Sequence, residues 1–129
     1  MPPPRSLQRN AADAQQVRFA ARKVQDTEAR FRGALAAVLD TADGRRVFAE
    51  LLRRAGLDRT IYDHSGSTMY FNEGRRNYGL ELKATIIETS EALYELMERE
   101  DRAHQRSTDR EADAVQTTAA AQAADTEET

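Results

Sequence analysis

The chain has 129 residues, of which 40% are hydrophobic and 32% are charged, with a net charge of −3 and no cysteine. We expect one small domain without disulfide bonds or thiolate chemistry. No run of about 18 apolar residues is present, and no apolar segment follows the opening Met-Pro-Pro-Pro-Arg. We therefore expect neither a membrane-spanning helix nor a signal peptide.

The charge is distributed unevenly along the chain. Residues 1–32 carry seven basic and three acidic side chains, whereas residues 98–129 carry four basic and nine acidic ones. The basic and acidic ends can attract each other, pair with a second copy of the chain or contact different partners. Alternatively, the charges serve solubility alone. We divide the chain into a basic N-terminal helical arm (1–26), a helical core domain (27–100) and an acidic, disordered tail (101–129).

The arm begins with three prolines, which favour extended backbone, and Ser6 can then cap a helix. Because the apolar face of this helix is mostly alanine, it buries little area and indicates a docking arm. The apolar spacing continues to Phe31, so residues 7–39 can form one helix, but a cap at Asp26 or Thr27 favours two. The face consists of residues that recur every three or four positions: Leu7, Ala11, Ala14, Val17, Ala21 and Val24.

The core domain contains three predicted helices. Thr41 is the expected N-cap of the second, and Gly56 suits the left-handed position that follows a helix. The third runs from Glu73 to about Arg99. Residues 57–72 are predicted to be irregular, and the β-prone runs within residues 60–71 favour a structured loop over a short hairpin.

The predicted fold is all-α, with a small three-helix core, an additional N-terminal helix and a disordered C-terminal tail. The tail has Val115 as its only large apolar side chain and cannot offset the entropy of ordering, although residues 114–124 can become helical on contact. A core this small is marginal alone, which favours a homo-oligomer or docking on a larger assembly. The predicted core residues are Phe31, Leu35, Val38, Leu39, Val47, Phe48, Leu51, Leu52, Tyr78, Leu82, Ile86, Leu93, Leu96 and Met97.

The sequence contains no motif for catalysis, for a metal ion or for a cofactor. His64 and His104 are the only histidines, and neither has a second ligand at metal-binding spacing. Carboxylate pairs such as Glu88 with Glu91 fall on the solvated face of a predicted helix. We therefore expect no enzymatic activity, no metal and no cofactor.

Two short segments resemble each other thirty residues apart. Residues 43–48 and 73–78 each place an acid, a glycine and two arginines at a predicted helix start. The helix dipole disfavours cations there, so the arginines need compensation. Nearby acids can supply it, or an anionic partner such as a phosphate or an acidic protein surface. The candidate partner-binding residues are Arg45, Arg46, Gly74, Arg75, Arg76, Tyr70 and Phe71.

The run from Phe31 to Leu52, with Val38-Leu39-Asp40-Thr41 and Gly44-Arg45 within it, and the run from Glu73 to Leu80 resemble a family of small tailed-bacteriophage proteins first noted in a Bordetella phage. The resemblance covers about residues 28–97. Members are encoded among head and tail morphogenesis genes, which implies a non-enzymatic accessory protein of the virion or its assembly. Its expected partners are head, portal or tail proteins, and its expected location is the virion, after synthesis in the host cytoplasm.

An alternative of a different class is a nucleic-acid accessory protein. It would contact packaged or entering DNA through the basic residues of 5–32 and the arginine pairs. The acidic isoelectric point of about 5.5 weighs against this alternative, because DNA-binding domains are usually basic.

Overall fold

A computed structural model describes residues 5–127, and the side chains from residue 12 onward. The prediction of an all-α fold is confirmed, since the described residues form helices and no strand. The chain divides after Val38 into two compact units. Within residues 5–127, none of the helices combines the length and the apolar character needed to cross a bilayer. The four helices are α1 (Arg5–Leu39), α2 (Ala42–Ala55), α3 (Gly66–Thr89) and α4 (Glu91–Glu127).

The helix α1 is continuous, so the predicted break near Thr27 is wrong. The Thr27 hydroxyl donates a hydrogen bond to the Lys23 carbonyl oxygen at 2.9 Å, one turn earlier in the same helix. Glu28 then accepts from Arg32 at 3.1 Å across the next turn. Because no proline or glycine lies between residues 5 and 32, nothing in the backbone ends the helix there, and threonine bonds within it instead of capping.

The helix α2 has the ends that the sequence predicts. The Thr41 hydroxyl accepts a hydrogen bond from the Gly44 N–H at 3.0 Å, as an N-cap does. Gly56 has φ 75°, and its N–H donates to the Arg53 carbonyl oxygen. This left-handed conformation is the one that glycine adopts without a Cβ penalty.

The connection between α2 and α3 is shorter than predicted, because α3 begins at Gly66. The prediction of irregular structure to residue 72 is therefore wrong beyond residue 65, as is a hairpin over 60–71. The Asp63 carboxylate accepts from the Ser65 N–H at 2.8 Å and forms the turn that precedes the helix. The aromatic and β-branched residues in this segment have only a weak preference for strands. The surrounding helix outweighs that preference.

The single long helix predicted from Glu73 to about Arg99 is interrupted at Ser90. This residue has extended backbone, with φ −163° and ψ 106°, and its hydroxyl accepts from the Leu93 N–H at 3.2 Å. Ser90 is therefore the N-cap of α4, with Glu91 in the first turn. The continuous apolar spacing across this position conceals the break.

The helix α4 continues to Glu127, where the sequence predicted a disordered tail from residue 101. Residues 106–127 are exposed, so the prediction that this segment buries no core is confirmed. Its helix rests on local preference: no glycine or proline follows Gly79, and alanine and charged helix formers dominate.

The helices α2, α3 and α4 pack against one another, and their core is smaller than predicted. The buried residues of α2 include Arg45, Ala49, Leu52 and Ala55. This face is rotated about the helix axis from the predicted one, which contained Val47 and Leu51. Of the predicted core residues, Leu35, Leu39, Leu52, Ile86 and Met97 are buried, and Phe48, Leu82, Leu93 and Leu96 are half-buried. The prediction is wrong for Phe31, Val38, Val47, Leu51 and Tyr78, which are exposed.

Candidate protein-interaction site on the third helix

A glycine fixes which side of α3 faces inward. A Cβ built on Gly79 would collide with the Ala55 Cβ and would lie 3.1 Å from the Leu57 Cδ2. Helix α3 therefore approaches α2 at a distance that only glycine permits. Gly79 and Ile86 are the buried residues of α3.

Three aromatic side chains project from another side of the same helix. Tyr70 is 72% exposed, and Phe71 and Tyr78 are each 68% exposed. Tyr78 follows Phe71 by seven residues and Tyr70 by eight. Since a helix turns by about 100° per residue, the three side chains share a sector of about 100° of the helix surface. Gly74 lies between them, and no other side chain approaches within 4 Å of the position of its missing Cβ.

Arg75 borders these aromatic rings. Its guanidinium lies 5.7 Å from the centre of the Phe71 ring, and its Nη2 donates to the Asn72 side-chain oxygen at 3.3 Å. The ring therefore holds the cation in place at the surface. We call the surface formed by Tyr70, Phe71, Gly74, Arg75 and Tyr78 the aromatic face.

Arg76 does not belong to the aromatic face. It is half-buried, and the rotation of about 100° per residue directs it away from Gly74. One member of the aromatic face is absent from the predicted partner-binding residues, because the sequence pattern predicts Tyr78 in the core. Its position seven residues after Phe71 is the signal that groups it with the exposed aromatic residues.

Arg45 lies in the packing between α2 and α4. It is 8% exposed, and its Nε and Nη2 donate to the two carboxylate oxygens of Glu100 at 2.8 and 2.9 Å. Its Nη1 donates to the Leu39 carbonyl oxygen at 3.0 Å. The positive charge of Arg45 is thus compensated by Glu100, an acid 55 residues away in the sequence. The hydrogen bonds from Arg45 hold the pKa of Glu100 below its ordinary value of 4.5.

Two further arginines connect α2 with α4. The Nη2 of Arg46 lies 3.1 Å from the His104 Nε2 at the exposed surface. Arg53 forms ion pairs with Glu50 and Asp101, and the hydrogen bond to Asp101 raises the pKa of Arg53. Because Arg45 and Arg46 face α4, the structure separates them from the aromatic face.

The aromatic face has the composition of a protein-binding surface. Tyrosine, phenylalanine and arginine are enriched at the centres of protein interfaces, where rigid rings bury large areas at a small entropy cost. Within residues 5–127, no cluster of three histidine, aspartate or glutamate side chains has the arrangement of a metal site.

The fold and this surface define a small helical protein with an exposed aromatic helix face. The family described as Bbp19-like phage protein matches residues 35–99, slightly more than half of the chain, and the protein belongs to this family. The match confirms the resemblance found over residues 28–97, and it includes all of α2 and α3. The chain matches no curated protein and no solved structure.

Proposed function

We propose that this protein is a non-enzymatic accessory component of a tailed-phage particle or of its assembly. It acts through protein–protein contact, and the aromatic face is the contact surface. The observation that supports this proposal most is the exposure of three aromatic residues on one side of α3, within the residues that match the phage family. Synthesis in the host cytoplasm and residence in the virion follow from such a role.

The chemistry of the aromatic face specifies its partner. Arg75 is exposed, and the Asn72 side-chain oxygen accepts a hydrogen bond from one of its nitrogens. A complementary surface would present apolar pockets for the rings and a carboxylate for the guanidinium. The proposed partner is a head, portal or tail protein with such a surface.

Mass spectrometry of purified particles tests this proposal. We expect the wild-type protein in particles of the phage that encodes it, and its loss when Tyr70→Ser and Tyr78→Ser are combined. Tyr62→Ser is the matched control, because Tyr62 is 70% exposed but precedes α3. Equal amounts of the double variant and the control in the particles would contradict the proposal.

One observation favours the alternative of DNA contact. Arg18, Arg22 and Lys23 are exposed on α1, and within residues 5–127 Arg75 and Arg76 form no ion pair. If these side chains bind phosphates, the affinity for duplex DNA falls steeply with salt, and each lost contact lowers the slope of log K against log salt by about one. Absence of salt-sensitive DNA binding by the wild type would exclude this alternative.

A further inference from the structure

Helix α1 carries an exposed apolar stripe with a coiled-coil period. Val17 and Val24 are each 68% exposed, and Phe31 is 50% exposed. These residues are seven positions apart, which is the heptad repeat of helices that wrap around each other. Each is followed after three positions by a small exposed residue. We call this set the α1 seam: Val17, Ala20, Val24, Thr27, Phe31 and Ala34.

The α1 seam contains no charge and no unpaired polar group. Thr27 is its one polar member, and its hydroxyl is already bonded to the Lys23 carbonyl oxygen. Thr27 therefore presents its methyl group without leaving a buried donor unpaired. If the heptad positions were shifted by one residue, the seam would include the charged residue Glu28. It would also include Leu35, which is already buried.

We propose that the α1 seam binds the α1 seam of a second copy of this chain, as a parallel coiled coil in register. Val17, Val24 and Phe31 occupy the a positions of the heptad, and the alternating small residues occupy the d positions. β-Branched residues at a favour two-stranded coiled coils. The α1 seam shares no residue with the aromatic face, so the two proposals fail independently.

Charge complementarity fixes the orientation of the two copies. In this frame Lys23 is at a g position and Glu28 is at the next e position, and these two positions meet across a parallel pair. Lys23 of one copy therefore lies beside the partner's Glu28. An antiparallel pair would instead bring the g residues Lys23 and Arg30 of the two copies together, which is repulsive.

Cysteine crosslinking of the full chain tests the register, and the protein suits this test because it contains no cysteine. In the proposed pair, the two copies of residue 17 are adjacent, so Val17→Cys should form a disulfide between copies under mild oxidation. Phe19→Cys is the control, because Phe19 is 74% exposed on the same helix but outside the seam. Equal rates of disulfide formation by the two variants would overturn the proposal.

Sedimentation equilibrium tests the association itself. Val24→Glu places a carboxylate in the seam and should weaken association at least about tenfold, whereas Phe19→Glu should leave it unchanged. Lys23→Glu should weaken it, and adding Glu28→Lys should restore it. Circular dichroism checks that each variant keeps its helix content. A wild type that stays monomeric at hundreds of micromolar, or Val24→Glu associating as well as the wild type, would overturn the proposal.

Discussion

The segments 43–48 and 73–78 have similar sequences and different environments. In the first, Gly44 and Arg45 are buried in the first turns of α2. In the second, Gly74 and Arg75 are exposed and lie two turns inside α3. The two segments therefore show that similar sequence neighbours do not give two arginines the same environment. Whether each arginine is buried or exposed depends on which helices pack around it.

The neighbours in space explain both outcomes. Glu100 on α4 lies opposite Arg45 and accepts two hydrogen bonds from it. Arg75 forms no ion pair within the described residues: it lies beside Phe71 and Asn72, and its Nη2 is 3.8 Å from the position that a Cβ would take on Gly56 at the end of α2. The first arginine thus joins α2 to α4, whereas the second remains exposed on α3.

The largest expected effect is that of Arg45→Met. This change leaves the Glu100 carboxylate and the Leu39 carbonyl oxygen without their donors, and a half-buried acceptor without a partner is costly. We expect a lower Tm by circular dichroism, with a decrease greater than that of any other single substitution proposed below. Arg75→Met is the matched control, and a similar decrease in both variants would contradict the contrast between the two arginines.

The next effect is that of Gly79→Ala. The added methyl group meets Ala55 and Leu57, so α2 and α3 must move apart. Overpacking of this kind costs about 1–3 kcal/mol of unfolding free energy, which chemical denaturation would measure. An unchanged or increased stability would show that α2 and α3 do not pack as closely as the structure indicates.

A smaller effect depends on pH and on Glu100. Because its folded-state pKa is depressed, the ion pair with Arg45 contributes stability above the ordinary pKa of 4.5 and loses it as the pH falls through the lower folded value. The Tm difference between the wild type and Glu100→Gln should therefore be constant near neutral pH and disappear in acid. The exposed residue Glu95 provides the control, Glu95→Gln. A difference that persists in acid would contradict this account.

The smallest effect is a gain in stability. Gly74 has room for a methyl group, and alanine favours a helix interior over glycine by up to about 1 kcal/mol. Gly74→Ala should therefore raise the unfolding free energy by that amount, opposite in sign to Gly79→Ala. A loss of stability would mean that the surface around Gly74 is more crowded than it is in the structure.

Signals that act within one turn were readable from the sequence. Thr41 and Gly56 predicted both ends of α2, because a cap bonds to its own helix. The Ser90 cap has the same chemistry, but it lies within an apolar pattern that continues on both sides. Local signals thus predict a boundary best where the hydrophobic pattern also stops.

Signals that depend on distant residues were not readable. Nothing near Arg45 indicates that its partner is Glu100, and nothing near Val47 indicates that Arg45 rather than Val47 lies on the buried face of α2. The candidate residues Tyr70 and Phe71 are predicted in a loop, whereas the structure places them in α3. Their grouping with Tyr78 became visible only when α3 was seen to begin at Gly66.

Photo-crosslinking within assembled particles tests the central claim most directly. A photoreactive phenylalanine analogue at Phe71 should form an adduct with one head, portal or tail protein, identified by mass spectrometry. The same analogue at Val115, which is 69% exposed on α4, should not form that adduct. No adduct from position 71, or the same adduct from both positions, would contradict the assignment of the aromatic face as the partner surface.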